Sequence, residues 1–202
     1  MRRVYLIASL LCLPSLAAGY SLPKGDTAQI LPPQHLEASA GFAAGDSHWA
    51  IGATGRLGIA KKIDATLRLG LLIQDGEAGF ESALGGRFQL FDAASTADIV
   101  DIALGIDLSF AFAGPAFTTG IDPKLLFSRH FSITEKREFF VGVGAGAAVT
   151  SLDANGLGDE NRFGALVSVV AGLDIYDNLR FTGEFTWRDD LKRIGGAVGY
   201  RF

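Results

Sequence analysis

The sequence has almost no cysteine to form disulfides, and it lacks the long apolar runs of a helical membrane protein. Its 202 residues include one methionine and one cysteine, Cys12, which lies in a stretch that we expect to be removed. The mature chain is therefore predicted to form no disulfide. Beyond residue 19 no apolar run approaches the 18 or so residues of a spanning helix. The formal net charge is −4 and no basic stripe is present, so no nucleic-acid partner is expected.

The N-terminus has the organisation of a secretory signal peptide. Two arginines follow Met1, an apolar run extends from Val4 to Leu13, and small residues follow Pro14. Because Pro14 ends the run well short of about 20 residues, a signal is favoured over a transmembrane helix. Residues 1–19 are predicted to be the signal peptide, with cleavage after Ala17, Ala18 or Gly19.

The mature chain is hydrophobic through alternation. Mean hydropathy is +0.28, and the chain contains 26 glycines and 15 phenylalanines. Residues 20–33 contain three prolines and no periodicity, which predicts a periplasmic lead-in. Residues 34–202 divide into ten alternating segments: Gln34–Ala44, Trp49–Ala60, Ile63–Gln74, Phe80–Phe91, Ile99–Phe112, Phe117–Phe127, Glu138–Thr150, Phe163–Tyr176, Leu179–Arg188 and Arg193–Phe202. This pattern predicts an all-β, antiparallel, up-and-down transmembrane barrel of ten strands.

Charged residues within the segments fall on one face only. In Ile63–Gln74, for example, Asp64 and Arg68 alternate with leucines and isoleucines. The predicted inward acids are Glu37, Asp64, Glu81, Asp101, Asp107, Asp122, Asp174 and Glu184, and the predicted inward bases are Arg56, Arg68, Arg87, Lys124, Arg180, Arg188, Arg193 and Arg201. Their balance indicates an ion-pair network or a hydrated lumen. A soluble barrel would have the opposite sidedness.

The last strand is the sharpest motif. Ile194, Val198, Tyr200 and Phe202 share one face, and the chain ends on the Phe202 ring. This ending resembles the C-terminal strand of bacterial outer-membrane β-barrels, especially the small porin-like and surface-antigen types. The resemblance implies an outer-membrane location and recognition of these four residues by the barrel assembly machinery. It also implies contact with outer-membrane lipid and lipopolysaccharide. The resemblance does not indicate whether the barrel is a monomer or an oligomer.

Two parts of this map depart from a regular barrel, and one outer loop is long. Pro123 lacks a ladder donor, which predicts a bulge or strand edge. Ser128–Arg137 is long for a periplasmic turn, and eight strands would be the alternative if this region were wrongly divided. Ser151–Arg162 is acidic and glycine-rich, and it is predicted to be the longest outer loop.

The leading functional hypothesis is a structural barrel or a small passive channel, without a catalytic residue, cofactor or metal. A binding protein or adhesin that uses its outer loops is an alternative. An outer-membrane hydrolase is another: His130-Phe131-Ser132 faintly resembles the His-x-Ser element of lipid A deacylases, although Ile133 replaces the usual Asn. Asp46-Ser47-His48, with Asp189 and Asp190, could similarly mimic the Asp and His pairs of surface proteases.

Overall fold

The computed structural model describes residues 25–45, 48–74, 76–93, 100–113, 116–154, 159–176, 178–188 and 191–202. The predicted signal peptide, residues 1–19, lies outside this range. Among the described residues, none forms a helix long and apolar enough to span a membrane.

Ten antiparallel strands form a closed barrel, in which each strand pairs with its sequence neighbours and β1 pairs with β10. The strands are β1 (Leu36–Gly45), β2 (His48–Ala60), β3 (Ile63–Gln74), β4 (Glu77–Phe91), β5 (Asp101–Ala113), β6 (Ala116–Thr134), β7 (Arg137–Ala154), β8 (Asp159–Ile175), β9 (Leu179–Arg188) and β10 (Leu191–Arg201). The ten-strand prediction is confirmed, and the eight-strand alternative is wrong. We call the rim formed by Leu36 and Arg201 the terminal end and the other rim the opposite end.

Side-chain burial in the barrel is reversed relative to a soluble protein. Along β3 the leucines at 67, 69 and 71 are exposed, whereas Asp64 and Arg68, at the alternate positions, are buried. The same alternation runs along β5 and β9. Among the described residues, buried polar and charged side chains outnumber buried apolar ones. An apolar outer wall of this extent fits a hydrocarbon surrounding, because soluble monomers rarely expose large contiguous apolar surface.

The longest strands lie where the sequence predicted turns or a break. β6 continues to Thr134 and β7 starts at Arg137, so the turn predicted at Ser128–Arg137 is only two residues long. At the opposite end, pairing between β7 and β8 continues out to Asp153 and Asp159, so most of the predicted loop Ser151–Arg162 is strand. Extended backbone is stabilised there because each strand supplies ladder partners for the other.

Pro123 interrupts hydrogen bonding without shifting the register. Ile121 faces Val149 before it and Lys124 faces Gly146 after it, which is the same register on both sides. The predicted bulge at Pro123 is therefore wrong. Irregularities instead lie near the terminal end, at Gly58/Ala60 in β2, Gln89/Phe91 in β4 and Ser132/Thr134 in β6. Bulges at a barrel rim increase local twist and bend.

Candidate functional site in the barrel lumen

A non-strand segment of the chain lies inside the barrel. Residues 25–31, which we call the lumen segment, run from mid-barrel to the terminal end, where the chain turns into β1. Asp26, Thr27 and Ala28 are buried, with Thr27 and Ala28 at 0% exposure. The predicted periplasmic lead-in, residues 20–33, thus includes a stretch that the structure places within the lumen; residues 20–24 lie outside the described range.

Wall side chains accept hydrogen bonds from the backbone of the lumen segment. Gly25 N–H donates to Glu184 Oε2 at 2.6 Å, and Ala28 N–H donates to Ser128 Oγ at 3.0 Å. Leu31 N–H donates to Asp64 Oδ2 at 3.1 Å. A buried backbone amide needs such a partner, because leaving it unsatisfied costs about 1–3 kcal/mol. The wall thus supplies bonds that a strand neighbour supplies elsewhere.

Wall arginines donate to the carbonyls of the same segment. Arg87 Nη1 donates to the carbonyl of Thr27 at 2.8 Å, and Arg56 Nη2 donates to the carbonyl of Gln29. Both guanidinium groups also bind Asp64: Arg87 Nε lies 2.9 Å from Oδ1, and Arg56 Nη2 lies 2.6 Å from Oδ2. Asp64 therefore links two strands of the wall to the segment.

The lumen segment has one charged side chain, that of Asp26. Its Oδ1 lies 3.2 Å from Arg68 Nη2 and 3.8 Å from Arg87 Nη1. Its Oδ2 is paired with Lys124 Nζ. Lys124 and Arg68 also bind Asp107, at 2.6 Å and 3.0 Å. Three cations from β3, β4 and β6 thus surround one carboxylate that belongs to no strand.

Small wall residues make space for this arrangement. A side chain at Gly58 would come within 2.0 Å of the Pro32 carbonyl oxygen, so the chain can pass β2 only over a glycine. A side chain at Gly85 would meet Asp107 Oδ1 at 2.2 Å. Ala28 also packs with the buried residues Ala103 and Leu126. Shape and charge therefore both fit the lumen segment.

A second cluster lies at the terminal end, across the seam that closes the barrel. Arg201 Nε of β10 lies 2.8 Å from Glu37 Oε2 of β1. Arg201 Nη2 also lies 3.2 Å from Asp174 Oδ2, and Arg180 holds both oxygens of Asp174 at 2.7 Å. Four strands are joined by this network, which adds charge-assisted bonds to the β1–β10 ladder.

Comparisons with known proteins identify the fold. No family model matches the chain, and no curated protein matches it. Among solved structures, the β domain of the Bordetella autotransporter BrkA is 12% identical with a TM-score of 0.50, over 84% of this chain and 99% of that one. The outer membrane protease OmpT of Escherichia coli is 8% identical, with a TM-score of 0.46 over 87% and 100%. The N-terminal β-barrel domain of Pseudomonas aeruginosa OprF is 12% identical, with a TM-score of 0.38 over 85% and 100%.

The chain has the outer-membrane β-barrel fold. At these identities the likeness concerns the fold alone. Any activity of this outer-membrane barrel has to be argued from its own lumen, loops and rims.

The predicted lumen charges lie inside the barrel wall. Fifteen of the sixteen are buried, and Arg201 at the terminal rim is the partly exposed one. In the half towards the opposite end, Arg188 Nη2 lies 3.3 Å from Asp122 Oδ1, and Glu81 is fully buried. The four residues of the predicted assembly signal, Ile194, Val198, Tyr200 and Phe202, all lie exposed on the outer wall.

The residues considered for hydrolysis are not gathered into one site within the described part of the chain. His48 lies at the opposite end of β2, whereas His130 lies near the terminal end of β6, stacked on Phe140 with ring centroids 5.4 Å apart. Asp46, Ser47, Asp189 and Asp190 fall outside the described residues.

His130 belongs to a possible metal-ligand set with Glu138 and Asp174, whose ligand atoms lie within 4.8 Å of one another. Asp174 is already held by both nitrogens of the Arg180 fork and by Arg201. A cation there would have to compete with two guanidinium groups, so this set is a poor metal site.

Sequence reasoning missed Asp26. The residue precedes the alternating segments and stands between Gly25 and Thr27, without the period of two that marks a wall position. No spacing or charge pattern in residues 25–31 marks this residue as a partner of the wall.

Proposed function

We propose that this protein is a small passive channel of the bacterial outer membrane that its own N-terminal segment holds closed. A signal peptide ending near residue 19 would export it, and both termini would lie on the periplasmic side. Its outer wall would contact membrane lipid and lipopolysaccharide, and its last strand would be recognised by the barrel assembly machinery.

The observation that carries the proposal is the occupied lumen. A ten-stranded barrel encloses little more than its own inward side chains. Here residues 25–31 lie buried against the wall at mid-barrel, and a cavity of about 30 Å³ beside Asp26 and Arg87 is on the order of one water molecule. On this proposal, a solute crosses the barrel after the lumen segment has moved.

The contacts between the wall and the lumen segment are of a kind that allows this movement. The segment is held by hydrogen bonds and ion pairs to wall side chains, with no strand ladder along residues 25–31. Its removal would leave a lumen lined by charged side chains, which water can hydrate. A purely structural barrel has no evident need for charged groups that contact a separate segment of chain.

Planar-bilayer recordings of the wild type and of a variant lacking residues 25–31 test the proposal. We expect the wild type to be silent for most of the record and the deletion variant to give discrete conductance steps. Gel mobility before and after boiling would show that both barrels are folded. Two folded but silent barrels would indicate a structural role only. Equal conductance of the two would show that the segment does not close the lumen.

A further inference from the structure

We infer that Arg68, Arg87 and Lys124 form an anion site in the lumen, which Asp26 occupies in the closed barrel and which binds a small monocarboxylate once Asp26 is gone. This inference deepens the closed-channel proposal and rests on it for its role in opening. The binding itself is measurable without any conductance.

The three cations belong to the wall and not to the lumen segment. They come from β3, β4 and β6 and are each at most 5% exposed. Among the wall acids that the structure describes, Asp107 lies beside Arg68 and Lys124, and Asp64, which Arg56 also binds, lies beside Arg87. Asp26 contacts all three cations. A buried cation with too little counter-charge is strongly unfavourable, so withdrawal of Asp26 creates a demand for another anion.

The shape of the site favours a carboxylate. Both oxygens of Asp26 are engaged: Oδ1 lies nearest Arg68 and Arg87, and Oδ2 is paired with Lys124 and lies 3.5 Å from Arg68 Nη2. Guanidinium groups match planar, two-oxygen anions well. The neighbouring Asp107 limits the anion to a single negative charge, because a dianion would be repelled. Formate and acetate therefore satisfy the site, and chloride offers only one point of contact.

The same chemistry gives the closed barrel a way to open. A carboxylate that enters the lumen would compete with Asp26 for Arg68, Arg87 and Lys124. Occupation of the site by a free anion favours the state in which the lumen segment has left, in proportion to the affinity of the anion for that state.

The test is chemical rescue of Asp26→Gly, which removes the carboxylate and leaves space for a small anion. Thr27→Gly is the matched control, since it vacates space at the next position of the segment without removing a charge. The thermal midpoint of unfolding is measured in detergent from gel mobility, in sodium formate, acetate or chloride of equal ionic strength. We expect formate to restore about half or more of the midpoint lost by Asp26→Gly. Thr27→Gly should respond to the three salts alike.

The inference is overturned if formate and chloride act alike on Asp26→Gly, or if formate stabilises both variants equally. Should Asp26→Gly fail to fold, formate present during refolding is expected to raise the folded yield above that in chloride, and equal yields would again reject the site. If formate rescues Asp26→Gly but the variant lacking residues 25–31 does not conduct, the anion site stands and the channel is rejected. If that deletion variant conducts but formate does not rescue Asp26→Gly, the channel stands and the anion site is rejected.

Discussion

At the scale of single residues, the lumen works as a set of shared counter-ions. Three wall acids each bind two cations that come from different strands: Asp64, Asp107 and Asp174. Removal of one member leaves its partners buried and short of charge, and the cost is larger than the value of one ion pair. The consequences of single substitutions therefore depend on the network around them.

The seam between β1 and β10 offers a direct test. Glu37→Gln would leave Arg201 and Arg180 with less negative charge at the closing pair of strands. We expect the free energy of unfolding to fall by about 1–3 kcal/mol in urea titrations of the detergent-solubilised barrel. Arg129→Gln is the control, because Arg129 is exposed near the same end and contacts the Phe131 ring on the outer wall. An equal loss in both variants would contradict a special role for the seam.

Gly58 tests the passage of the chain into the lumen. A methyl group at this position would collide with the carbonyl oxygens of Pro32 and Leu31, whereas one at Gly55 in the same strand would meet nothing within 4 Å. Gly58→Ala should therefore loosen the lumen segment, and Gly55→Ala should not. Amide hydrogen exchange of Leu31, which donates to Asp64, is the measurement. Unchanged protection in Gly58→Ala would show that the segment is held independently of this contact.

At the scale of elements, sequence periodicity predicts strands wherever both faces are chemically distinct. β3 and β9 have the predicted bounds because charged and apolar residues alternate along their whole length. The part of the β7–β8 hairpin at the opposite end was not predicted, since aspartates such as Asp153 and Asp159 are typical of turns. In the structure, pairing between the two strands keeps the backbone extended there. Pairing between two segments is a property of neither sequence alone.

The lumen segment is the larger omission, and its physical reason is similar. Residues 25–31 bind through backbone amides, backbone carbonyls and one carboxylate, and none of these groups leaves a periodic pattern. The wall charges were readable because each strand places them on one face. Their use of Asp26 as a further partner depends on the closed shape, which brings β3, β4 and β6 around one point.

The last strand combines two roles that a truncation can separate. Phe202 N–H donates to the Leu36 carbonyl at 2.8 Å, and its ring lies 4.9 Å from that of Tyr200 on the outer wall. Deletion of Phe202 should lower the amount of barrel in the outer membrane more than the stability of barrels refolded in detergent. Membrane fractionation and thermal midpoints measure the two quantities, with Phe202→Tyr as control. A normal amount in the membrane would reject recognition of the terminal ring.

At the scale of the whole molecule, the apolar wall and the charged lumen require each other. The ten strands satisfy one another's backbone groups, so the barrel has no open edge that would need water. The inward charges of the described strands lie behind an outer wall that is mostly apolar, and the lumen segment adds Asp26 beside three of the wall cations. The molecule is therefore expected to tolerate charge at its rims and to reject it at mid-height on the outside.

Two arginine substitutions on β3 measure this difference. Leu69 lies at mid-strand, opposite Ala53 and Ser82, whereas Ile63 begins the strand at the terminal end. Both side chains are exposed on the outer wall, at 45% and 40%. Leu69→Arg should lower the free energy of unfolding in lipid vesicles by about 2–4 kcal/mol, and Ile63→Arg by about 0–1 kcal/mol, because the cost of a cation rises towards the bilayer midplane. Neither variant changes the lumen, so the difference between their free energies of unfolding reports how deeply each position lies in the membrane. Equal losses of free energy in the two variants would place the hydrocarbon band elsewhere on the barrel.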